Sequence, residues 1–448
     1  MINRIKKFLL NFNSREKKNL VSSLSNISLQ TFAQILYPPL MIFSWGANLF
    51  GSWIFLISIP SILLLFNIQF NDAAIQEITI YKAKNNINKA NEYFSSSIIF
   101  ILLNLIIFNS IFFLYLINFE NNFEVLRYLD NEELKIIILL LVISINLKVV
   151  EGIFHTGIYS YGKLNIVDNI STILDFSSKI LIVFFGFFFN NLIYAASIII
   201  FMSVISIILH IHYFVKVNEV LKISLNKISK KIVKKIFILS IGHNSEKIGF
   251  ILKQAGIIIV TGKYFDAYTV AFISTLFTLF YYFPKRLFGR FSNIYIFEYA
   301  NLFGKKKITK LKNKLKFFLK YNLIGIIIFT FVSLSIGPYL YKFWLNNNYT
   351  IIYSLLFIIV LDSFFEVIKI SFFTIFKSLN NFVLLGFLDM LISSSAFLLF
   401  YLLLELKIFN TFFESYIVIL FGNFVCLLIS LIYFFYFYQS NFKKRIIF

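Results

Sequence analysis

The sequence predicts an all-helical membrane protein that crosses a bilayer about twelve times. Composition gives the first reason, because 59% of the 448 residues are apolar and only 14% are charged. A soluble chain carries about a quarter charged residues, so this chain has too little polar surface to cover a globule in water. The other two reasons are the length of the apolar runs and the one-sided distribution of basic residues between them.

Apolar runs of about twenty residues are long enough to cross the hydrocarbon of a bilayer, which is about 30 Å thick. Backbone groups in lipid must find partners within their own segment, so each run is predicted to be a helix. The predicted spans lie near 20–44, 52–75, 95–118, 136–158, 166–188, 192–214, 236–262, 267–284, 317–341, 351–376, 383–405 and 416–438.

The basic residues between the spans predict their orientation. With the N-terminus inside the cell, the cytoplasmic connections carry 31 of the 42 Lys and Arg residues, and the outer connections carry 5. Cytoplasmic connections are normally the basic ones, so both termini are predicted to be cytoplasmic. The net charge of +21 follows from the same distribution. It predicts anionic membrane lipids as partners, and no nucleic acid.

A basic connection in the middle of the chain predicts two halves. Residues 215–235 contain seven lysines and separate two predicted bundles of six helices each, 1–214 and 236–448. Because six is an even number, both bundles have the same orientation, as in a parallel repeat about an axis along the membrane normal. Such a pair can rock and expose a central cavity on alternate sides of the membrane.

The sequence offers little for catalysis. It contains no nucleotide-binding P-loop, and its one cysteine and four scattered histidines provide neither a disulfide nor metal-ligand spacing. We therefore predict no enzyme activity, no metal and no cofactor. The longest outer connection, 119–135, is short for a catalytic domain, although a membrane enzyme of polysaccharide assembly stays an alternative. The basic first nineteen residues lack a cleavable apolar core, so no removed signal peptide is predicted.

Polar and ionisable residues inside the predicted spans are candidates for function, because a charge in lipid costs at least a few kcal/mol. At helical spacing, the members of each set share one face of a helix. The sets are Asn26, Gln30 and Gln34 in the first span; Lys148, Glu151 and His155 in the fourth; Asp168, Asp175 and Lys179 in the fifth; His243, Glu246, Lys247, Lys253 and Gln254 in the seventh; and Asp362, Glu366 and Lys369 in the tenth.

Two interpretations of these sets remain open. The i, i+3 spacings in the fourth and tenth spans, such as Glu366–Lys369, suit ion pairs that hold a bundle together as well as they suit a functional site. Lys253 differs, because it lies in the middle of its span and Glu246 is seven residues away. We therefore predict that Lys253 faces a water-filled cavity without an acidic partner.

Three cations follow Pro284 closely, namely Lys285, Arg286 and Arg290. They suit ordinary topology signals on the cytoplasmic side. They also suit a rim that collects phosphate at the cytoplasmic mouth of a transport pathway.

The opening of the chain resembles a known family. A basic leader precedes the polar first helix, Phe50-Gly51-x-Trp53 follows it, and Ser58-Ile59-Pro60-Ser61 lies in the second. This pattern resembles the bacterial polysaccharide flippases of the Wzx type, in the superfamily that also contains the MATE drug exporters and the lipid II flippase MurJ. One departure is Asn67-Ile68-Gln69 at the inner end of the second helix, where such proteins often carry Asp-x-Gly.

The resemblance implies a MATE-like alternating-access transporter in the bacterial inner membrane. Its substrate would be an undecaprenyl-pyrophosphate-linked oligosaccharide, with H+ or Na+ as the coupling ion. Lysines would bind the pyrophosphate, amides would bind sugar hydroxyls, and an acid would couple the ion. The residues assigned to these roles are Lys253, Lys247 and Lys179; Gln30, Gln34 and Gln254; and Glu246, Asp175 and Glu366. A MATE-like exporter of small molecules is the alternative, and its cationic substrates would favour an acidic cavity.

Overall fold

The computed structural model describes most of the chain, and nearly all of the described part is helical. No strand occurs in that part, so the prediction of an all-helical fold is confirmed. The described residues are 14–63, 70–83, 85–117, 123–127, 129–161, 163–218, 221, 229–289, 292, 299, 308–346, 349–378, 382–409 and 411–438.

The helices are numbered here in chain order. Their bounds are α1 Ser14–Leu63, α2 Phe70–Ala83, α3 Ile87–Ile117, α4 Asn131–Ser160, α5 Leu164–Phe188, α6 Leu192–Val217, α7 Lys230–Ile251, α8 Ile257–Tyr264, α9 Ala267–Phe277, α10 Ile308–Ser335, α11 Gly337–Trp344, α12 Tyr353–Ser378, α13 Val383–Glu405 and α14 Phe412–Tyr438. Within the described residues, 9 helices are long and apolar enough to cross a membrane. One of the nine, Ser25–Ile62, takes in most of the first predicted span and most of the described part of the second. The predicted spans 236–262 and 351–376 are not among the nine, and both carry several charged residues.

The chain forms two compact units, each built from more than one segment. Unit 1 is Met1–Trp45, Ile59–Asn122 and Arg127–Ile241, and unit 2 is Gly46–Ser58, Phe123–Leu126 and Gly242–Phe448. Helix α1 therefore contributes to both units. The predicted division at 215–235 stays a prediction, because residues 222–228 lie outside the described part.

Gly46 marks the point in α1 at which the chain passes from unit 1 to unit 2. Its backbone has φ 77° and ψ 166° within an otherwise helical segment, a conformation open essentially to Gly alone. In unit 2, α1 then passes so close to α9 that a Cβ atom at Gly51 would lie 1.8 Å from the carbonyl oxygen of Ala267. Gly51 is therefore required for this packing.

Close helix contacts also hold unit 1 together. Helices α4 and α6 approach so closely that a Cβ atom at Gly157 would lie 2.2 Å from the ring of Phe214. The start of α7 is joined to α2, where Lys235 Nζ lies 2.9 Å from a carboxylate oxygen of Glu77. This hydrogen bond raises the pKa of the Lys235 amine, which precedes the predicted span.

Each of two helical runs in unit 2 contains one turn of π-helix. Leu252–Gly256 joins α7 to α8, and Thr278–Tyr282 extends α9 towards residues 283–289. A π turn includes an extra residue and is found frequently at functional sites. Lys253 lies within the first of these turns, and Lys285 follows the second by three residues.

Candidate functional site

Six buried or nearly buried ionisable residues come together in unit 2. Helix α12 provides three of them at i, i+4 and i+7, a spacing that places them on one face of the helix. The other three come from the first π turn, from residues 283–289 and from α13. The six are Asp362, Glu366 and Lys369; Lys253; Lys285; and Asp389. We call this group the unit 2 cluster, and its three lysines balance its three carboxylates.

Glu366 lies at the centre of the unit 2 cluster. One of its carboxylate oxygens is 2.7 Å from Lys285 Nζ. The other is 2.8 Å from Lys369 Nζ and 3.7 Å from Lys253 Nζ. Three ammonium groups from three segments of the chain therefore surround a single carboxylate.

The remaining two carboxylates complete the unit 2 cluster. Lys369 Nζ also lies 2.9 Å from Asp389. Asn423 on α14 connects Lys253 to Asp362. Its side-chain oxygen accepts a hydrogen bond from Lys253, and its amide group donates one to Asp362. A second donor to Asp362 is the hydroxyl of Tyr416.

Burial makes this arrangement energetically demanding. The exposed fractions of Lys253, Lys369 and Asp389 are 4%, 3% and 4%, and the void beside Asp389 and Cys426 is too small for a water molecule. Removing a charge from water costs several kcal/mol per ion, so a buried charge needs both a counter-charge and hydrogen bonds. The alternating charges and the Asn423 amide meet most of that need, but within the described residues Glu366 Oε2 faces two ammonium groups without accepting a hydrogen bond.

The prediction that Lys253 faces a water-filled cavity without an acidic partner is wrong in this structure. Lys253 is buried and contacts Glu366, which belongs to α12. Spacing along one helix cannot reveal a partner on another helix. The neighbouring Gln254 is exposed, so these two residues do not share a face. Lys247 is half-buried, and the side chains of His243 and Glu246 lie outside the described part.

The predicted phosphate rim also needs correction at Lys285. Its side chain is only 16% exposed, and its ammonium group contacts Glu366 and lies 4.1 Å from the ring centre of Phe250. Lys285 therefore belongs to the unit 2 cluster. Arg286 is half-buried, and Arg290 lies outside the described residues.

Sequence reasoning found part of the unit 2 cluster. The predicted i, i+3 ion pair Glu366–Lys369 is confirmed. Asp389, Tyr416 and Asn423 were missed, although an acid in the middle of an apolar span is a signal in itself. Asp389 is the one acid between 383 and 404, so that signal was available in the sequence.

Unit 1 contains a polar cavity of about 350 Å³ between four helices. Side chains from α1, α4, α5 and α6 line it, and all but Leu174, Ile199 and Met202 carry hydroxyl, amide or charged groups. These residues are Gln30, Lys148, Glu151, Ser171, Leu174, Asp175, Ser178, Ile199, Met202, Ser203 and Ser206. The structure thus brings together Gln30 and Asp175, two of the residues to which the resemblance assigns transport roles, and their role in transport stays a prediction.

Hydrogen bonds fix two sides of this polar cavity. Gln30 donates from its amide to the Thr172 hydroxyl at 2.9 Å, which joins α1 to α5. Among the described residues, the buried side-chain oxygen of Gln34 accepts no hydrogen bond. Asp175 and Lys179 form an i, i+4 ion pair of 2.8 Å with side chains 47% and 29% exposed.

A histidine on α6 lies behind the polar cavity. His210 is fully buried, and its Nδ1 lies 2.8 Å from the carbonyl oxygen of Ser206 and 3.4 Å from the Glu151 carboxylate. Glu151 itself lines the cavity. The polar set predicted on the fourth span therefore reaches a partner on another helix, here through Glu151.

An apolar cavity of about 380 Å³ is lined by α1 and α5, two of the four helices that also line the polar cavity. Among the described residues that line it, Lys179 is the charged one. The lining residues are Phe32, Ala33, Leu36, Tyr37, Leu40, Phe176, Lys179, Ile180, Val183, Phe184 and Phe187. Along α1 and α5, the residues that line the apolar cavity therefore lie mostly beyond those that line the polar cavity.

No protein-family model matches the sequence, and neither does any curated protein sequence. Solved structures, in contrast, match it over nearly the whole length. An inward-facing multidrug resistance MATE family transporter of the MOP superfamily aligns with a TM-score of 0.64 at 14% identity, covering 92% of this chain and 96% of that one. The chain has the MATE fold.

Two further structures of this fold extend the comparison. The eukaryotic MATE transporter AtDTX14 aligns with a TM-score of 0.58 at 12% identity, over 92% of this chain and 96% of its own. The second is a MOP superfamily transporter from Pyrococcus furiosus, for which reverse polarity of the binding pocket suggests a different function. It aligns with a TM-score of 0.59 at 13% identity, covering 95% of this chain and 96% of that one. With its apolar helices, the MATE fold makes this chain a multi-pass membrane protein.

Proposed function

We propose that the chain is a flippase that moves a lipid-linked oligosaccharide, carried on undecaprenyl pyrophosphate, across the bacterial inner membrane for surface polysaccharide synthesis. The MATE fold supports a transporter. The predicted bundles 1–214 and 236–448 would act by alternating access, with both termini in the cytoplasm.

The observation that carries the substrate proposal is the pair of cavities on α1 and α5. A lipid-linked sugar has a polar head and an apolar tail, and each part needs a surface of its own polarity. The polar cavity offers Gln30 and four serine hydroxyls to sugar hydroxyls. The apolar cavity offers phenylalanine and aliphatic side chains to the isoprenoid tail. The stem of Lys179 lies in its lining, and the Lys179 ammonium contacts Asp175 of the polar cavity, where a phosphate would join the two parts.

A MATE-like exporter of small cationic molecules is the second candidate, and one observation favours it. The carboxylates of Glu151 and Asp175 both line the polar cavity, and acids there suit a cationic substrate. These two carboxylates suit binding of a coupling H+ or Na+ equally well. Glu366 is proposed as a further residue for ion coupling. The two candidates therefore differ in which substrate the unit 1 cavities accept.

Proteoliposomes test the proposal directly. The purified protein should move a fluorescent undecaprenyl-pyrophosphate oligosaccharide between leaflets, measured as loss of protection from an added membrane-impermeant quencher. Lys179→Met should slow this movement by about tenfold, because it removes a charge-assisted contact to phosphate. Lys342→Met, an exposed lysine of α11 outside the cavities, is the matched control and should change nothing. Movement of ethidium without movement of the lipid-linked sugar would favour the exporter.

A further inference from the structure

We propose that the Glu366 carboxylate occupies a three-lysine anion site of unit 2, where it stands in for a phosphate or pyrophosphate group of the transported molecule. This inference rests on the proposed function and adds a second contact site for the same substrate. It concerns Lys253, Lys285 and Lys369, whose ammonium groups converge on Glu366.

The geometry around Glu366 is that of an anion site. Its three lysines come from a π turn, from residues 283–289 and from α12, and their nitrogens lie 3.7, 2.7 and 2.8 Å from its oxygens. Each ammonium group has three donors, whereas a carboxylate has two oxygens to offer them. A phosphate group offers three oxygens and up to two charges, so it satisfies three ammonium groups better than one carboxylate does.

The other two carboxylates leave room for such an exchange. Asp389 neutralises Lys369, and Asp362 reaches Lys253 through Asn423. Among the described residues, Glu366 is the carboxylate that contacts Lys285. If the Glu366 side chain rotates away, the site keeps one uncompensated positive charge, centred on Lys285. An anion from outside would then be drawn to that position.

A purely structural ion network explains these contacts less well. Replacing buried ion pairs with apolar residues is often neutral or stabilising, so burial of six charges gains little stability by itself. Two π turns also adjoin the lysines, and π turns are frequent at functional sites. Lys285 has the largest exposed fraction of the three lysines, at 16%. It marks the side from which an anion would enter.

Anion-dependent stability of Glu366→Gln in detergent is the test. Wild type, with the site occupied by its own carboxylate, should respond weakly to sodium pyrophosphate. Glu366→Gln should bind pyrophosphate about tenfold more tightly than wild type, measured as the shift of the thermal unfolding midpoint across a titration. Asp389→Asn is the matched control, since it also removes one buried carboxylate but one that contacts Lys369. Asp389→Asn should not bind pyrophosphate more tightly than wild type.

Further variants keep the proposal testable if Glu366→Gln does not fold. Glu366→Asp keeps the charge on a shorter side chain and should show an intermediate gain, while Glu366→Gln combined with Lys285→Met should lose it. No gain in either single Glu366 variant, or an equal gain in Asp389→Asn, would overturn the proposal. Inorganic phosphate, pyrophosphate, farnesyl pyrophosphate and phosphatidylglycerol, compared in parallel, distinguish a free anion from a lipid-borne one.

This binding measurement does not depend on transport, so the two proposals fail separately. Tight pyrophosphate binding by Glu366→Gln, without movement of the lipid-linked sugar by wild type, keeps the anion site and rejects the flippase. Movement of the sugar without an anion response in the Glu366 variants rejects the anion site alone.

Discussion

Two ion pairs of nearly equal length differ in what they do for the protein. In unit 1, Asp175 and Lys179 are 2.8 Å apart with side chains 47% and 29% exposed. In unit 2, Lys369 and Asp389 are 2.9 Å apart with side chains 3% and 4% exposed. The length of an ion pair therefore does not by itself indicate how much the pair contributes to stability. Asp175 of the first pair lines the polar cavity, where water can compete for its partner, whereas the second pair has only its protein neighbours.

The largest expected effect is the loss of stability on Lys369→Met. Among the described residues, this change leaves the buried Asp389 without a contacting ammonium, and it removes one of the three ammonium groups around Glu366. Breaking a buried pair by removing one partner costs about 3–5 kcal/mol. Thermal or denaturant unfolding in detergent should therefore show a large fall in the free energy of unfolding.

The corresponding change in unit 1 is Lys179→Met, which sharpens the comparison. Its partner Asp175 is nearly half exposed and can be solvated by water. The cost should be about 0–1 kcal/mol, although transport of the proposed substrate should fall. Equal losses of stability for Lys179→Met and Lys369→Met would show that burial does not separate the two pairs.

A smaller effect is expected from single hydrogen bonds in the two regions. Tyr416→Phe removes a donor to the buried Asp362 carboxylate, which should cost about 1–3 kcal/mol. Thr172→Val removes the acceptor of the Gln30 amide, which lines the polar cavity where water can replace it. That change should cost less, about 1 kcal/mol or below. Unfolding of both variants under one set of conditions provides the measurement, and a greater loss for Thr172→Val would contradict the expectation.

The smallest expected effect is the response of each pair to salt. Double-mutant cycles at about 0.05 M and about 1 M NaCl measure the coupling energy of each ion pair. The Asp175–Lys179 coupling should fall towards zero at high salt, because exposed charges are screened. The Lys369–Asp389 coupling should change little. A loss of coupling in unit 2 comparable to that in unit 1 would mean that ions reach the unit 2 cluster.

The sequence predicts the helices well, because length and hydropathy are properties of one segment at a time. It also predicts the Glu366–Lys369 pair, since an i, i+3 contact is set within one helix. Contacts between helices are different. The approach of Lys253 to Glu366 depends on how α7 and α12 are rotated, and a π turn changes that rotation by an extra residue. No periodic pattern in either segment encodes it.

Unit 1 gives the same lesson in another form. Both Gln30 and Asp175 were found as polar residues within predicted spans and were given transport roles by the resemblance, and both line one cavity. The partner of Glu151 was not found, because His210 lies on α6 and looks like an isolated histidine in an apolar run. Polarity thus locates a lining residue, whereas the identity of its neighbour requires the tertiary fold.

The backbone conformation of Gly46 determines how missense mutations at this position should act. A Cβ atom there would meet nothing within 4 Å, so even a large side chain would have space. With φ 77° and ψ 166°, however, any other residue would be strained by about 1–3 kcal/mol. Every missense change in this codon therefore introduces torsional strain at an uncrowded position, and the size of the new side chain should matter little.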